Sequence, residues 1–459
     1  NPLSVSLGAE YREEKGSTTP DECLKLAPAS CLGGAGGNTL PIAGGYNVKD
    51  FFGEAILPLI DGATFAQSVD LEEGQLPERQ DAAVAQDEIA GAVALVLRDD
   101  QVVYERAVGW SDREAQRRMT PDAVFRIASQ SKALTSTAVL MLLEEGRLTL
   151  ATPVSRFLPS FARTTVLTNT DTGVAIVPAR RAITIRDLLT HTAGISYGID
   201  ASVRDRYEPM GLGPAAGIGW YTADKTEPIC ATMDRLGALP FVAQPGEAWV
   251  YGYNTDILGC IVERASGMPL DVFLRARITQ PLGMRDTHFF LPVAQRARLV
   301  TVYANDSGRV RRAPDGATGQ GHYVDGPRVS FAGGAGLVST ARDYARFLQM
   351  IAHGGRWNGQ QYLAPHTVAL MTTNQVGTLH GTTLGFGLGF ETTERYGANG
   401  SSSVGTFGWA GAYGSNYKVD PAEGLVIVFM INQLPSGTNV VGRFQTMIYS
   451  ALVDARAMR

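Results

Sequence analysis

The chain reads Phe125-Arg-Ile-Ala-Ser129-Gln-Ser-Lys132-Ala-Leu-Thr-Ser-Thr-Ala-Val-Leu-Met-Leu-Leu143 in the stretch that decides its class. The run after Lys132 is apolar on nearly every side, which predicts a buried helix that ends near the stop signal Gly146. Ser129 and Lys132 stand three residues apart at its start, so their side chains share one face and can meet. A serine hydroxyl that contacts a lysine amine is a nucleophile with its own base.

The identity of residue 132 supports a catalytic interpretation. The chain contains 6 lysines and 34 arginines, yet a lysine stands here, and lysine is the basic side chain that can lose its proton. Burial at the head of an apolar helix favours the neutral amine, which can accept a proton from serine. The alternative is an N-cap serine followed by a surface lysine, because serine is a common cap and short motifs recur by chance.

Composition describes an ordinary globular protein. The 459 residues are 44% hydrophobic and 19% charged, which suits one elaborate domain or two. The net charge of −5 and the absence of a basic cluster argue against nucleic acid or an anionic membrane as a partner. No apolar run approaches the length of a membrane span. We therefore expect a small-molecule substrate.

The cysteines and histidines bear on location and cofactors. Cys23 and Cys31 either close a small disulfide or remain free thiols, and the sequence leaves both open. A disulfide, together with a chain that opens on Asn1 rather than Met, favours a periplasmic or secreted protein, with a cytoplasmic location as the alternative. Cys260 is expected to be a small core residue. No cysteine or histidine has metal-ligand spacing, so neither a metal nor another cofactor is expected.

The first 85 residues differ from the rest. They are rich in glycine, as in Cys31-Leu-Gly-Gly-Ala-Gly-Gly37, and predict a loop-rich N-terminal extension. An extension that wraps the main body or a neighbouring subunit makes a homodimer conceivable. Further along, the pattern predicts strands at 91–98 and 101–108 joined as a hairpin, helices at 183–190, 255–264 and 340–351, strands at 413–420 and 425–431, and a last helix at about 438–455.

Strands at both ends with helices between them predict an α+β fold. One antiparallel sheet would be built from both chain ends and flanked by helices, with a mostly helical lobe inserted. The domain would cover 86–455, with the sheet lobe at about 86–150 and 330–455 and the helical lobe at about 151–329. The active site would then lie at the seam of the two lobes, where pockets often form.

Two more segments carry a resemblance to a known family. They are Gln244-Pro-Gly-Glu-Ala-Trp-Val-Tyr251-Gly-Tyr253-Asn-Thr-Asp-Ile-Leu-Gly259 and Phe407-Gly-Trp409-Ala-Gly411-Ala-Tyr-Gly-Ser-Asn-Tyr417. Together with Ser-x-x-Lys, the run 188–194 and the run 333–340, they resemble the serine β-lactamase and penicillin-binding-protein superfamily, on its class C side. The likeness is greatest to the family VIII carboxylesterases and covers roughly 85–455. It implies a β-lactamase/transpeptidase-like fold.

The resemblance also implies residue roles. Ser129 would be the nucleophile, Lys132 its base, and Tyr251 the group that passes the proton to the leaving group and helps to activate water. The backbone N–H groups of Ser129 and Ala412 would form the oxyanion hole, next to Gly411, and a helix N-terminus suits a developing negative charge. The alternative for Tyr251 is an ordinary core or rim aromatic.

Two departures from the family pattern indicate the substrate. Trp409 stands where penicillin-handling relatives carry the lysine of Lys-Thr-Gly on an edge strand, so the cation that grips a substrate carboxylate is missing. Tyr253 stands where many relatives have asparagine, which removes an amide contact to a β-lactam side chain. Trp409, Gly411 and Tyr253 are therefore candidate substrate-binding residues. Both changes favour small uncharged esters and an aromatic wall in the substrate site. Ordinary strand packing is the alternative role of Trp409.

Other functions stay open at this point. Gly194-Ile-Ser196-Tyr-Gly198 matches the nucleophile-elbow pattern Gly-x-Ser-x-Gly, but no buried strand precedes it, so a glycine-bracketed turn is predicted instead. The leading hypothesis is a cofactor-free serine carboxylesterase. The alternatives are a β-lactamase, D-amino-acid peptidase or other amide hydrolase or acyltransferase of the same fold, and a non-catalytic penicillin-binding-type protein.

Overall fold

The computed structural model describes residues 4–18 and 42–56 by their backbone, and 75–170, 173–213, 223–306 and 308–452 in greater detail. The chain divides into two units, residues 1–69 and 70–459. The first contains strand β1 (Ser4–Thr18), which pairs antiparallel with β2 (Ile42–Ile56). Cys23 and Cys31 lie outside the described residues, so their pairing stays a prediction.

The second unit contains the remaining elements, which follow in chain order: α1 (Gln75–Ala85), β3 (Gly91–Arg98), β4 (Gln101–Asp112), β5 (Arg117–Arg118), β6 (Phe125–Arg126), α2 (Ser131–Glu144), β7 (Thr165–Thr170), β8 (Gly173–Pro178), α3 (Ile185–Leu189), α4 (Ala201–Tyr207), α5 (Ile229–Leu236), β9 (Pro240–Phe241), α6 (Asn254–Ser266), α7 (Leu270–Leu274), β10 (Tyr303–Asp306), β11 (Arg309–Arg312), β12 (Val338–Ser339), α8 (Ala341–Ala352), β13 (Arg356–Trp357), β14 (Gln360–Gln361), α9 (Pro365–Thr372), β15 (Leu384–Phe386), β16 (Glu391–Thr393), β17 (Phe407–Ala410), β18 (Asn416–Asp420), β19 (Leu425–Met430) and α10 (Val440–Ser450).

The main sheet joins the two ends of this unit. Its eight strands run in the order β15-β16-β17-β18-β19-β3-β4-β5, and every pair is antiparallel. The late strand β19 pairs with the early strand β3 from Leu425–Arg98 to Met430–Val93. Both strands are buried at every position, because α8 packs against them and Phe444 of α10 contacts Phe429 of β19. The predicted α+β fold is confirmed.

Helix α1 belongs to the second unit, whose first residue is Asp70. The N-terminal extension predicted from the sequence, residues 1–85, includes this segment. Leu76, Gln80 and Ala83 are buried, and their spacing of four and three residues puts them on one helix face. Tyr104 of β4 donates from its hydroxyl to Gln80 Oε1 over 3.0 Å. Charged residues lie between these buried positions, so the sequence shows no clear apolar face that would predict the helix.

The inserted lobe is built around α6, which packs against the buried helix α2. A disulfide between Cys230 of α5 and Cys260 of α6 ties two helices of this lobe together. Cys260 is completely buried, as expected, but the sequence analysis missed its bond to Cys230. The two cysteines are 30 positions apart on separate helices, so no local spacing indicates the pairing. Among the described residues, no helix has the length and apolar character that crossing a membrane requires.

Removal of the Cys230–Cys260 disulfide is expected to lower the free energy of unfolding by about 3–4 kcal/mol, because the bond closes a loop of 30 residues in the unfolded chain. The measurement is denaturant unfolding of a Cys230→Ala/Cys260→Ala variant against the parent. Under strong reducing conditions that break the bond in the parent, most of the difference should vanish. Equal stability of the two proteins without reductant would contradict the prediction.

Candidate active site

Ser129 lies in a single 3₁₀ turn, Ala128–Gln130, directly before α2. Ala128 has φ +42° and is completely buried, and a non-glycine residue in this region carries strain of about 1–3 kcal/mol. The strained residue directly precedes the serine, where such strain clusters in active sites. Ser129 itself is 5% exposed. The helix start and the buried apolar run were predicted, whereas the preceding 3₁₀ turn was not.

The amine of Lys132 lies at the centre of the site. Its Nζ is 3.1 Å from Ser129 Oγ, 2.9 Å from Tyr197 Oη and 2.8 Å from the carbonyl oxygen of Gly334. A neutral amine has two N–H bonds and one lone pair. If the N–H bonds point to Gly334 and Tyr197, the lone pair faces the hydroxyl of Ser129. This geometry suits an amine that accepts the serine proton.

Tyr251 faces the same amine with its ring. Lys132 Nζ lies 4.6 Å from the ring centroid, and the Tyr251 hydroxyl accepts a hydrogen bond from Trp409 Nε1 over 3.1 Å. Tyr251 is half-buried, so its hydroxyl side can face a substrate. Trp409 and Tyr251 were predicted as separate site residues, and the structure joins them by a hydrogen bond.

Tyr197 is the site residue that the sequence analysis missed. Its hydroxyl, rather than that of Tyr251, hydrogen-bonds to Lys132, and its ring packs edge-on against Tyr251 at 5.6 Å. Tyr197 is 3% exposed, and burial raises the pKa of its phenol well above the usual value. The sequence signal for Tyr197 is its place in the glycine-bracketed turn 194–198, beside the serine of the Gly-x-Ser-x-Gly pattern.

A glycine brings these tyrosines together. A Cβ at Gly252 would lie 2.2 Å from the Ile195 carbonyl oxygen and 2.5 Å from the Ser196 carbonyl carbon. Only glycine allows the two chain segments to approach this closely. The contact places Tyr197 between Tyr251 and Tyr253.

Tyr253 and Ser196 lie behind the site. Tyr253 is 2% exposed, accepts a hydrogen bond from the Gly213 N–H over 3.0 Å and packs edge-on against Tyr197 at 4.8 Å. The structure therefore places it in the core that supports Tyr197. Ser196 Oγ accepts from the N–H of Gly198 over 3.0 Å inside the predicted turn, and helix α3 is the element that precedes it.

Strand β17 forms the wall opposite α2. It is the third strand of the sheet rather than an edge strand, but β16 pairs only with Phe407 and Gly408, so the β16 side of Trp409 is unpaired. A Cβ at Gly411 would lie 2.5 Å from the Ile127 carbonyl oxygen, so a glycine lets the strand end approach the serine turn.

Ala412 follows at the start of the tight turn into β18, which explains why the strand predicted from 413 begins only at Asn416. Ala412 packs in the apolar cluster that contains Ala128. Within the described ranges, no group accepts a hydrogen bond from the Ala412 N–H. The residue therefore lies next to the serine turn, and the oxyanion role of its N–H stays a prediction.

Aromatic rings surround Tyr251 and Trp409. Trp249 stacks on Tyr251 at 5.8 Å with an interplanar angle of 13°, and Phe386 meets Trp409 edge-on at 5.5 Å. His191 packs on Tyr251 at 4.9 Å, and burial together with the charge of Lys132 lowers its pKa well below the usual value. The wall is thus built mainly from aromatic rings, and it includes His380, which packs on Trp249 at 4.1 Å and pairs with Glu391 over 2.8 Å. No cluster of three or more potential metal-ligating side chains occurs in the described part of the chain.

Comparisons with known proteins agree with this architecture. The sequence profile of the Beta-lactamase family matches residues 76–449. Protein Rv1367c of Mycobacterium tuberculosis is 34% identical over 76% of this chain and 86% of its own length. Esterase EstB of Burkholderia gladioli is 32% identical over 78% of this chain and 89% of its own.

A solved structure gives the same result. EstCE1, described as a hydrolase with promiscuous acyltransferase activity, superposes with a TM-score of 0.70 at 27% identity, over 83% of this chain and 97% of its own. The chain belongs to the β-lactamase family. The predicted resemblance to its penicillin-binding-protein-like members and to the family VIII carboxylesterases is confirmed, as is the prediction of a serine hydrolase.

Proposed function

We propose that this ester hydrolase of the β-lactamase fold is a carboxylesterase that cleaves small uncharged esters through an acyl-enzyme on Ser129. The observation that carries the proposal is the 3.1 Å contact between Ser129 Oγ and Lys132 Nζ inside a buried site. The esterase relative and the hydrolase with the same fold support the type of bond.

Acylation would begin when Lys132 Nζ accepts the proton of Ser129 and Ser129 Oγ attacks the ester carbonyl carbon. The carbonyl oxygen becomes an oxyanion, which the N–H groups of Ser129 and Ala412 would stabilise; one such donor contributes about 3–4 kcal/mol. The C–O bond to the alcohol then breaks, and the alcohol leaves with a proton that Tyr251 delivers from Lys132.

Deacylation would reverse these roles. Lys132 Nζ would accept a proton from a water molecule by way of Tyr251 while the water oxygen attacks the acyl carbon. The bond between that carbon and Ser129 Oγ would then break, and Ser129 Oγ would take the proton back from Lys132 Nζ, which lies 3.1 Å away. Tyr197 does not carry the proton in this scheme. Its role is to hold the amine of Lys132, which donates one N–H to the Tyr197 hydroxyl oxygen over 2.9 Å.

The choice of ester over β-lactam rests on Trp409. By the sequence resemblance, Trp409 stands where penicillin-handling relatives carry the lysine that grips a substrate carboxylate. Its indole adds an apolar surface beside Tyr251, at 5.3 Å between the ring centroids. Turnover of p-nitrophenyl butyrate, nitrocefin and a D-alanyl amide by the same preparation tests this choice. We expect efficient cleavage of p-nitrophenyl butyrate and weak turnover of nitrocefin and the D-alanyl amide. Efficient cleavage of the D-alanyl amide with negligible esterase activity would favour the amide hydrolase alternative.

Trp409→Phe is expected to lower kcat for p-nitrophenyl butyrate by up to about 10-fold. The variant keeps an aromatic ring but removes the N–H that donates to Tyr251, and a neutral hydrogen bond contributes about 0.5–1.5 kcal/mol. Phe386→Leu, which changes the same wall without touching that bond, is the control and should chiefly alter KM. If Trp409→Phe changes KM alone, the indole is only part of the wall.

An acyl group on Ser129 can also pass to an alcohol. The acyltransferase activity in the description of EstCE1 favours this second candidate, and the apolar wall would help to retain an alcohol acceptor. Addition of butanol during p-nitrophenyl butyrate turnover, with butyl butyrate as the product to be measured, tests it.

We further propose a periplasmic or secreted location, which the Cys230–Cys260 disulfide supports. Signal-sequence processing and cell fractionation test the location.

A further inference from the structure

Gly334 is one of the three groups that hold Lys132, and it is itself held by a carboxyl group. Its carbonyl oxygen accepts from Lys132 Nζ over 2.8 Å. Its N–H donates to Asp256 Oδ1 over 3.0 Å. Asp256 lies in the first turn of α6 and is completely buried. A chain of two hydrogen bonds thus connects this carboxyl to the amine that faces Ser129.

The glycine is a steric requirement of this connection. A Cβ at residue 334 would lie 2.6 Å from Asp256 Oδ2 and 3.0 Å from both Cγ and Oδ1. Any other residue would push the carboxyl away or displace the backbone that carries the carbonyl oxygen. The close approach is independent of backbone strain, because Gly334 is not among the residues with positive φ.

The preceding residue is clamped as well. Thr135 of α2 donates to the Gly333 carbonyl oxygen over 2.8 Å, and a Cβ at Gly333 would lie 2.8 Å from the Thr255 carbonyl oxygen. The pair Gly333-Gly334 is therefore held between α2, which carries Lys132, and α6, which carries Asp256. The position of the Gly334 carbonyl depends on both helices.

The charges around Asp256 fit a role beside Lys132. Lys132 and Lys225 act on it when they are protonated, and Tyr197 and Tyr253 are neighbouring titratable groups. Burial raises the pKa of the Asp256 carboxyl, and the two lysines oppose that rise. Asp256 Oδ2 has no hydrogen-bond partner among the described residues. A core kept only for stability would not normally retain such a group, since its burial is unfavourable.

We propose that Asp256 is a positioning residue that, through Gly334, orients the amine of Lys132 towards Ser129, a role that rests on the proposed function of that pair. The hydrogen bond to Gly334 needs only an acceptor oxygen at the Oδ1 position. An asparagine supplies one, whereas an alanine does not. The proposal therefore predicts different activities for Asp256→Asn and Asp256→Ala, although both substitutions remove the carboxylate charge.

The test compares Asp256→Asn and Asp256→Ala by kcat and KM for p-nitrophenyl butyrate and by the rate at which a fluorophosphonate labels Ser129, each per folded enzyme. We expect Asp256→Ala to lose about 10²-fold in kcat and labelling rate with little change in KM, because a small misplacement of a catalytic group has effects of this size. Asp256→Asn should keep kcat and the labelling rate within about 5-fold of the parent, because the amide oxygen of asparagine can accept from the Gly334 N–H and keep the catalytic group in place.

Two further variants keep the result interpretable if Asp256→Ala unfolds. Gly334→Ala should reproduce the kinetic loss from the other side of the hydrogen bond, and the double variant should be no worse than the poorer single one. Asp343→Ala removes an equally buried aspartate that binds Asp286 and Thr287 instead. It should lose stability but keep kcat per folded enzyme.

Asp256→Ala with kcat near that of the parent, or Asp256→Asn as impaired as Asp256→Ala, would overturn the positioning role. Ser129→Ala, measured alongside, separates this failure from a failure of the proposed function. If Ser129→Ala is inactive while Asp256→Ala is active, only the role of Asp256 is lost. If Ser129→Ala stays active, the nucleophile assignment and the role that rests on it both fail.

Discussion

Replacement of Ser129 by alanine should lower kcat/KM for p-nitrophenyl butyrate by about 10⁴-fold or more, because it removes the atom that forms the acyl bond. The substitution deletes one oxygen, and its only hydrogen bond between side chains in the described site is to Lys132. Fold and stability should therefore change little. The measurement is steady-state kinetics together with a circular-dichroism melt.

Ser196→Ala is the matched control for this variant. Ser196 is also buried and stands in a Gly-x-Ser-x-Gly sequence. In the described part of the chain, its hydroxyl accepts a hydrogen bond from the Gly198 N–H and makes no other. The control should keep activity within about 3-fold and lose about 1 kcal/mol of stability, the contribution of one such hydrogen bond. Loss of activity in Ser196→Ala with full activity in Ser129→Ala would reverse the assignment.

Replacement of Lys132 by methionine should lower kcat by about 10²- to 10⁴-fold, the usual contribution of a positioned base. Methionine keeps the length and apolar stem of the side chain but has no amine to accept the Ser129 proton. It also leaves Tyr197 and Gly334 without their shared donor. The rate of fluorophosphonate labelling at Ser129 should fall with kcat, because both depend on activation of the same hydroxyl.

Lys418→Met tests whether the loss of any buried lysine has this effect. Lys418 is 7% exposed and donates to the Asn399 carbonyl oxygen over 2.9 Å, and burial lowers its pKa to about 8. It lies in β18, and its amine hydrogen-bonds to none of the described site groups. We expect reduced stability and near-parental kcat. Equal kinetic losses in the two variants would mean that Lys132 acts through the fold alone.

Much of the fold could be predicted because its signals are local. The apolar run after Lys132 predicts α2, and the threonine cap predicts the start of α8. Each signal lies in neighbouring residues, and the structure contains both helices. The sheet from both chain ends followed from strand patterns at the two ends. The contact of Ser129 with Lys132 needed only the helical spacing of three residues.

The contacts that complete the site could not be predicted, because they join distant parts of the chain. Tyr197 reaches Lys132 across 65 positions, and Gly334 reaches it across 202. The glycine at 252 is explained only by the segment packed against it. Tyr253, taken as a substrate contact from its place in the motif, points to the core because Gly213 supplies a partner for its hydroxyl there.

Trp409 has one property that the sequence predicts and one that it does not. Its type indicated an aromatic wall, and aromatic rings surround it in the structure. Its hydrogen bond to Tyr251 depends on where β17 ends relative to α6, a distance in space that no local pattern encodes. The side chain therefore has two roles in the proposed mechanism, of which the sequence indicated one.

The central claim is that Ser129 carries the acyl group. Peptide mass spectrometry of the enzyme after treatment with a fluorophosphonate tests it most directly, with the Lys132→Met and Ser196→Ala variants treated in parallel. We predict one phosphonyl adduct on the peptide that contains Ser129, formed more slowly in Lys132→Met and at the parental rate in Ser196→Ala. An adduct on another residue, or none on an enzyme that still hydrolyses p-nitrophenyl butyrate, would contradict the claim.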